Sequence, residues 1–195
     1  AIPTPSLTAP VVPHDLVAKA GPTKFRISGP GFTIKARVCA MANERPLDPP
    51  GEQHHTVCWV RNEFGVAPGS DSATTYVLGH SWGQDSQEVL NKLSEPATKQ
   101  LLRAPMVKRD GIPTYPVTVL DGYVLTLWTP KGTLQYRVRD AFGVDKLKLG
   151  NITSTMDDTV RNRIVLITCA ERNHTDYDYN VVVNAYLISS KATTA

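Results

Sequence analysis

The sequence predicts a mainly β protein, a β-barrel or a β-sandwich with one short helical insert. Six to eight short apolar runs are separated by polar segments, and several of them place apolar residues at every second position. This period is typical of a β-strand with one buried face. Segments rich in Gly and Pro separate the runs, and only one stretch has a helical period. Many short strands with turns between them favour a barrel or a sandwich.

Length, composition and charge fit one globular domain without a nucleic-acid partner. The chain has 195 residues, 41% hydrophobic and 20% charged, which is enough for one sizeable core. The net charge of +3 comes without a long run of Lys or Arg, so we expect no nucleic-acid binding. Acidic residues do not have the spacing of a calcium loop, and we expect no cofactor and no metal.

The first 22 residues differ in composition from the rest of the chain. Prolines at positions 3, 5, 10, 13 and 22 alternate with small and polar residues, which predicts a flexible, extended linker over 1–22. Residues 23–195 form the predicted domain. The sequence has no visible signal peptide and no initiator Met, so we expect a trimmed N-terminus, with any membrane anchor absent or removed.

The predicted strands follow in order along the domain. The stretch "FRISGPGFTIKARVCAM" alternates around a Gly-Pro-Gly turn and predicts a hairpin, and "TVCWV" and "TTYVLGH" predict two shorter strands. A second hairpin is predicted in "YPVTVLDGYVLTLWTPKGTLQYRVRDAFGV". The final strands are "RIVLITC" and "NVVVNAYLI", joined by a polar loop.

One segment, Asp85–Leu102, has the pattern of a helix. Val89, Leu90 and Leu93 share one face of such a helix. Pro96 lacks the N–H that an inner turn needs. We therefore predict two short helical pieces instead of one continuous helix.

Cys169 is the first candidate for a chemical role. It ends an apolar strand, and the polar residues from Glu171 onwards follow directly. A free cysteine is most often a small buried hydrophobe, whereas a strand end that meets a polar loop is a place where a scaffold presents reactive groups. A nucleophilic thiol also needs a base or a cation nearby.

His80 is the best partner for Cys169. It follows Gly79 at the end of "TTYVLGH", much as Cys169 ends "RIVLITC", so two strands that end at one barrel edge would bring imidazole and sulfur together. The other four histidines lie in the linker or in polar loops: His14, His54, His55 and His174.

Cys39 and Cys58 lie in two different β-like runs. In an oxidising compartment they pair as a disulfide; otherwise both are buried thiols in separate strands. The sequence leaves both alternatives open, because it does not set the distance between the two Cα atoms.

Several of these stretches together resemble the sortases. "VLITC" looks like the cysteine-bearing strand of that family and "YVLGHS" like its histidine strand. "LDPPGEQHHTVCWVRNEFGVAPGS", "VLDGYVLTLWTPKGTLQYRV" and "YDYNVVVNA" are similar to further segments, with a pattern closest to the actinobacterial class E and F sortases. The resemblance covers about Phe25 to Leu187.

The resemblance implies a fold, a reaction and a location. Sortases of Gram-positive bacteria are closed eight-stranded β-barrels with one or two short helices, attached to the extracellular face of the cell membrane by an upstream anchor. Their cysteine cleaves an LPxTG-like sorting signal between Thr and Gly, and an amine on a cell-wall precursor or a pilin resolves the acyl-enzyme. On this resemblance Cys169 is the nucleophile, His80 is the general acid and base, and the protein is a monomer.

The resemblance fails at one functional position. Sortases carry an arginine near the start of the last strand, where this sequence reads "YDYN". Asn180 offers a neutral hydrogen-bond donor there, whereas Asp178 has the wrong charge for an oxyanion. Other arginines of the chain could replace the missing one from another position: Arg172, Arg137 and Arg139.

Two further residues are predicted to contact the substrate. Thr168 matches the threonine of the family and is expected to orient the substrate or the cysteine segment. Trp82, two residues past His80, is expected to line the substrate groove. The missing arginine keeps a second interpretation open, a weakened sortase-like barrel that binds peptides or acts as a scaffold. A cysteine hydrolase of another family is a third.

Overall fold

The computed structural model of the protein describes residues 15–62, 64–82 and 86–194. Within these ranges it contains ten strands, two helices and one turn of 3-10 helix at Leu149–Asn151. The strands are β1 (Lys24–Ser28), β2 (Thr33–Ala42), β3 (Thr56–Arg61), β4 (Thr75–Leu78), β5 (Val107–Arg109), β6 (Ile112–Pro116), β7 (Val124–Thr129), β8 (Gly132–Asp145), β9 (Arg163–Arg172) and β10 (Thr175–Ala192), and the helices are α1 (Asn91–Leu101) and α2 (Thr153–Met156).

Eight of the strands close into a barrel. Hydrogen bonds connect them in the order β10-β9-β4-β3-β2-β1-β7-β8, and β8 pairs with β10 to complete the ring. Beyond its pairing with β7, the long strand β8 also pairs with β6, and β5 adds to β6. The prediction of a closed eight-stranded barrel with one or two short helices is confirmed.

Period-two alternation fills the barrel interior. In β1, Phe25 and Ile27 are buried between more exposed neighbours, and Leu134, Tyr136 and Val138 follow the same pattern in β8. A second, smaller cluster of buried side chains packs beside this main core and includes Met41, Cys58, Tyr76, Phe142 and Ile152.

The helix α1 is continuous through Pro96, so the prediction of two pieces is wrong. Pro96 removes one backbone hydrogen bond, to the carbonyl of Lys92, and Lys92 is exposed. The opposite side of the helix is buried through Leu93, Ala97 and Leu101. This packing holds the helix together, because tertiary burial outweighs the loss of one hydrogen bond. The predicted start at Asp85 lies outside the described residues.

The strand β9 does not end at Cys169 but continues to Arg172. The predicted polar loop is wrong, because only Asn173 and His174, both with positive φ, separate β9 from β10. Hydrogen bonds of the Ser94 hydroxyl, on α1, stabilise the residues of β9 beyond Cys169. The hydroxyl accepts the N–H of Glu171 at 3.1 Å and lies 2.7 Å from the carbonyl oxygen of Cys169. The helix thus satisfies backbone groups that β4 is too short to reach.

The described part of the N-terminal segment lies against the barrel. Val17 is buried, and its N–H donates to Ser70 Oγ at 3.0 Å. The carbonyl oxygen of Asp15 accepts a hydrogen bond from Ser190 Oγ at 2.6 Å. The division of the chain at residue 22 stays a prediction, because residues 1–14 lie outside the described ranges.

In the described part of the chain, no helix is both long and apolar enough to cross a membrane.

A disulfide joins Cys39 to Cys58. The two residues lie opposite each other in the parallel pair of β2 and β3, with their Cα atoms 4.4 Å apart. Of the two alternatives that the sequence leaves open, the structure has the paired one.

Reduction of this disulfide is expected to lower the free energy of unfolding by about 3 kcal/mol, because the bridge restricts the unfolded chain. The separation of Cys39 and Cys58 is 19 residues. Urea unfolding with and without a phosphine reductant measures the effect. The double variant Cys39→Ala/Cys58→Ala should be insensitive to reductant, and Cys169→Ser should keep the sensitivity. Equal unfolding midpoints for the oxidised and the reduced wild-type protein would contradict this prediction.

Candidate active site

A pocket of about 420 Å³ contains both residues that the sequence pattern singled out, Cys169 and His80. It lies where β2 and β4 end and where β9 passes beyond the last residue of β4. Its apolar walls extend the smaller core cluster, through Leu47, Phe64, Leu78, Leu149, Met156 and Ile167.

The register of two parallel strands brings Cys169 and His80 into this pocket. In the pair formed by β4 and β9, Leu78 lies opposite Ile167. His80 and Cys169 each follow this pair by two residues (80 − 78 = 2 and 169 − 167 = 2). Because side chains alternate with period two, both side chains lie on the same face as Leu78 and Ile167, which also line the pocket.

The backbone at His80 needs a glycine before it. A Cβ atom at Gly79 would lie 2.7 Å from Leu90 Cδ1 and 3.0 Å from Val57 Cγ1, so a side chain at this position would collide with the core. The imidazole itself is half-buried. Its Nε2 lies 3.0 Å from the carbonyl oxygen of Pro49 and 3.3 Å from Asp48 Oδ1. These contacts hold the ring at the pocket wall.

The Cys169 thiol is held in its neutral form. Burial raises the pKa of Cys169 to about 11, and the negative charges of Glu171 and Asp176, with a hydrogen bond to Glu171, act in the same direction. Lys146 acts in the opposite direction. The thiolate is therefore a minor species near neutral pH, and the thiol needs a base when it reacts.

Thr168 supports the site through the backbone. It is buried, and its hydroxyl lies 2.8 Å from the carbonyl oxygen of Gly79 and 3.0 Å from Ser81 Oγ. Ser81 in turn donates to the carbonyl oxygen of Cys169 at 2.7 Å. These bonds connect the two residues that flank His80 to the segment that carries Cys169.

Trp82 lies against His174. The two rings meet edge to face with their centroids 5.5 Å apart, and the backbone N–H of Trp82 donates to Asn91 Oδ1 at 2.6 Å. Trp82 is not among the residues that line the pocket. Its predicted contact with substrate stays a prediction.

Of the two predicted substitutes for the arginine, the structure places one in the pocket and the other outside it. Asn180 pairs with Cys169 across β9 and β10 and lines the pocket. Arg172 does not line the pocket, and its Nε lies 3.9 Å from Glu95 Oε1 on α1. Arg137 and Arg139 are exposed on β8, outside the pocket.

Lys146 is a site residue that the sequence reasoning missed. It follows the end of β8, lines the pocket, and places its Nζ 2.6 Å from Asp176 Oδ2 and 4.0 Å from Glu171 Oε1. Burial alone would lower the pKa of Lys146, but the hydrogen bond to Asp176 and the nearby negative charges hold it above its usual value. The side chain is thus charged at neutral pH. No local pattern marks this lysine.

The pKa values of the two carboxylates beside Lys146 are shifted in opposite directions. Burial and the charge of Asp176 raise the pKa of Glu171. Although burial works against it, the hydrogen bond from Lys146 lowers the pKa of Asp176. Asp176 is therefore the counter-ion of Lys146, and Glu171 is the hydrogen-bond acceptor that faces the Cys169 thiol.

In the described ranges, no group of three or more His, Cys, Asp or Glu is arranged to hold a metal ion.

The fold and these residues agree with a comparison against known families. The Sortase domain family model matches residues 27–188, most of the chain. The chain therefore belongs to the sortase family and is, by class, a sortase-type transpeptidase. No curated protein sequence matches it.

Solved structures with a similar fold are also sortases. Sortase A of Listeria monocytogenes superimposes with a TM-score of 0.54 at 16% identity, covering 89% of this chain and 92% of that one. Sortase C-1 of Actinomyces oris has a TM-score of 0.52 at 17% identity, with 84% and 73% covered. A lid mutant of sortase A from Corynebacterium diphtheriae has a TM-score of 0.51 at 16% identity, with 86% and 70% covered. At these identities the likeness supports the fold alone.

The variant Glu171→Gln is expected to lower the pKa of Cys169, because it removes a negative charge and weakens the acceptor that holds the thiol proton. The rate of alkylation by iodoacetamide against pH reports the thiolate directly, since Cys169 is the one free cysteine. The midpoint should move to lower pH. Glu95→Gln, on α1, is the matched control and should leave it unchanged. A midpoint that stays in place or rises in Glu171→Gln would refute this assignment.

Proposed function

We propose that the protein is a sortase that cleaves an LPxTG-like sorting signal between Thr and Gly and transfers the acyl group to an amine of a cell-wall precursor or a pilin. One observation carries the proposal. In a barrel of the sortase family, Cys169 and His80 share one pocket, each two residues beyond the last pair of β4 and β9.

The proposed reaction begins with a proton transfer. Because burial keeps the Cys169 thiol neutral, His80 takes the thiol proton as the sulfur attacks the carbonyl carbon of the threonine. The new C–S bond moves the carbonyl electron pair onto oxygen. When that pair returns, the C–N bond breaks and His80 gives its proton to the leaving amine. The incoming amine then reverses these steps on the thioester.

The apolar walls of the pocket suit a substrate peptide that carries apolar side chains. Leu47, Leu149 and Ile167 line it beside Cys169, and apolar walls with a few polar groups are typical of binding sites that orient a ligand. Asp48 and the Pro49 carbonyl hold the ring of His80. In this proposal Thr168 acts by fixing the segment around His80, and Trp82 contacts substrate only at the outer end of the groove.

We further propose that the enzyme works on the extracellular face of a bacterial cell membrane, held by an upstream anchor, as a monomer. The Cys39–Cys58 disulfide supports an oxidising compartment. The segments "LDPPGEQHH" and "YDYNVVVNA" support a place near the actinobacterial class E and F sortases.

A second candidate function is peptide binding by a weakened sortase-like barrel. Two observations favour it. The pKa of Cys169 is raised to about 11, mainly by burial, and Arg172 pairs with Glu95 outside the pocket. A site of this kind would hold a sorting signal without forming an acyl-enzyme.

Incubation with LPxTG-like and LAxTG-like peptides and triglycine, followed by intact-protein mass spectrometry, tests the enzyme. We expect an acyl adduct on Cys169 that is absent in Cys169→Ala. His80→Asn should lower turnover by about 100-fold or more, whereas His55→Asn, in an exposed loop, should not. Binding of the peptides by fluorescence anisotropy without any adduct or transfer would favour the second candidate and overturn the first.

The variants Asn180→Ala and Arg172→Ala are expected to differ in kcat. Asn180 lies opposite Cys169 and lines the pocket, so loss of its amide should lower kcat by about 100-fold if it donates to the oxyanion. Arg172→Ala should leave kcat within about twofold, since an ion pair at the surface contributes little. Steady-state kinetics of the transfer measure both. An equal loss of kcat in the two variants would show that assigning the oxyanion contact to Asn180 and not to Arg172 is wrong.

A further inference from the structure

We propose that Lys146 supplies the positive charge that stabilises the oxyanion formed when Cys169 attacks its substrate, in place of a guanidinium. The inference rests on the proposed acyl transfer and assigns its missing cation to a residue at the end of β8.

The register of three strands places Lys146 beside Cys169. Cys169 pairs with Asn180 across β9 and β10, and Asn180 pairs with Val144 across β10 and β8. Lys146 follows Val144 by two residues (146 − 144 = 2), and its N–H donates to the carbonyl oxygen of Asp178 at 3.0 Å. The backbone of Lys146 is thus fixed to β10, and its side chain reaches the same pocket as the sulfur.

Two carboxylates hold the ammonium without using all of its donors. Asp176 and Glu171 are direct partners across β9 and β10. The Lys146 Nζ donates to Asp176 Oδ2 at 2.6 Å, whereas Glu171 Oε1, at 4.0 Å, is beyond hydrogen-bond distance. An ammonium group has three donors. Two donors therefore remain for an oxyanion, and the restricted side chain loses little entropy when it binds one.

The other cations near the pocket are less suited to this role. Arg172 pairs with Glu95 on α1. Arg45 lines the pocket, but it is exposed, and its guanidinium lies near Gly150, where a Cβ atom would meet Nη2 at 3.8 Å. Lys146 is more buried, with 28% of its side chain exposed, and a charge acts more strongly where water is partly excluded.

The role of Lys146 falls within one balanced step. As the C–S bond forms, the carbonyl electron pair moves to oxygen, and the thiol proton moves to His80. Lys146 donates a hydrogen bond to this oxygen and keeps its own proton throughout. The bond is stronger in the tetrahedral intermediate than in the peptide, so its loss lowers kcat more than it changes KM.

The test compares Lys146→Gln and Lys146→Arg with Lys148→Gln as the matched control and with Arg45→Gln as the variant of the rival cation. Lys148 is exposed, two residues further along the chain, and Arg45 is the rival cation. For Lys146→Gln we expect kcat to fall about 100-fold with KM little changed, and the alkylation midpoint of Cys169 to move to higher pH. Lys146→Arg should recover kcat to within about tenfold of wild type, because it restores the charge. Lys148→Gln should behave as wild type, and Arg45→Gln should lose much less kcat than Lys146→Gln.

The outcomes separate this inference from the proposed function. If wild type transfers peptide and Lys146→Gln keeps its kcat, Lys146 has no such role and the sortase activity stands. A large loss in Arg45→Gln instead would give the role to Arg45. If wild type transfers no peptide, the proposed function fails, and an unchanged alkylation midpoint in Lys146→Gln then overturns the action of Lys146 on Cys169 as well. Thermal melts confirm folding, and Lys146→Met repeats the comparison if the Gln variant melts markedly lower.

Discussion

The candidate site depends on one constraint, the pairing of β10 with β9 on one side and with β8 on the other. This double pairing closes the barrel. It also places a residue of β9, a residue of β10 and the end of β8 side by side, so that Cys169, Asn180 and Lys146 line one pocket. A break in either ladder would open the ring and separate the thiol from its cation at the same time.

The helix α1 completes the site from outside the barrel. Past Ile167, β9 has no partner in β4, and a bare strand edge would leave polar backbone groups unpaired. Ser94 supplies these hydrogen bonds and is itself buried. Its position keeps the chain around Cys169 extended, which directs the thiol into the pocket. The continuity of α1 through Pro96 matters for the same reason, since a break would displace the helix face that carries Ser94.

The groups around Cys169 shift the pKa of its thiol in opposite directions. Burial, Glu171 and Asp176 raise the pKa of Cys169, whereas Lys146 lowers it. The resting pocket therefore holds a neutral thiol and an ammonium bound to a carboxylate. Such an arrangement suits a nucleophile that is activated only when a substrate carbonyl arrives, because the charge that Lys146 stabilises then develops on the carbonyl oxygen.

The sequence by itself predicted most of the strands, because period-two alternation is a local feature, and through the resemblance it predicted the closed barrel. It named Cys169 and His80 as a candidate pair, and it missed the short strand β5. It misplaced the end of β9 and predicted a break at Pro96, since both are decided by the contacts of α1 with the barrel. Only the tertiary structure decided that Cys39 faces Cys58 and that Lys146 lies beside Cys169, because register and ring closure join residues far apart in the chain. Nothing in the neighbourhood of Lys146 encodes the strand that will lie beside it.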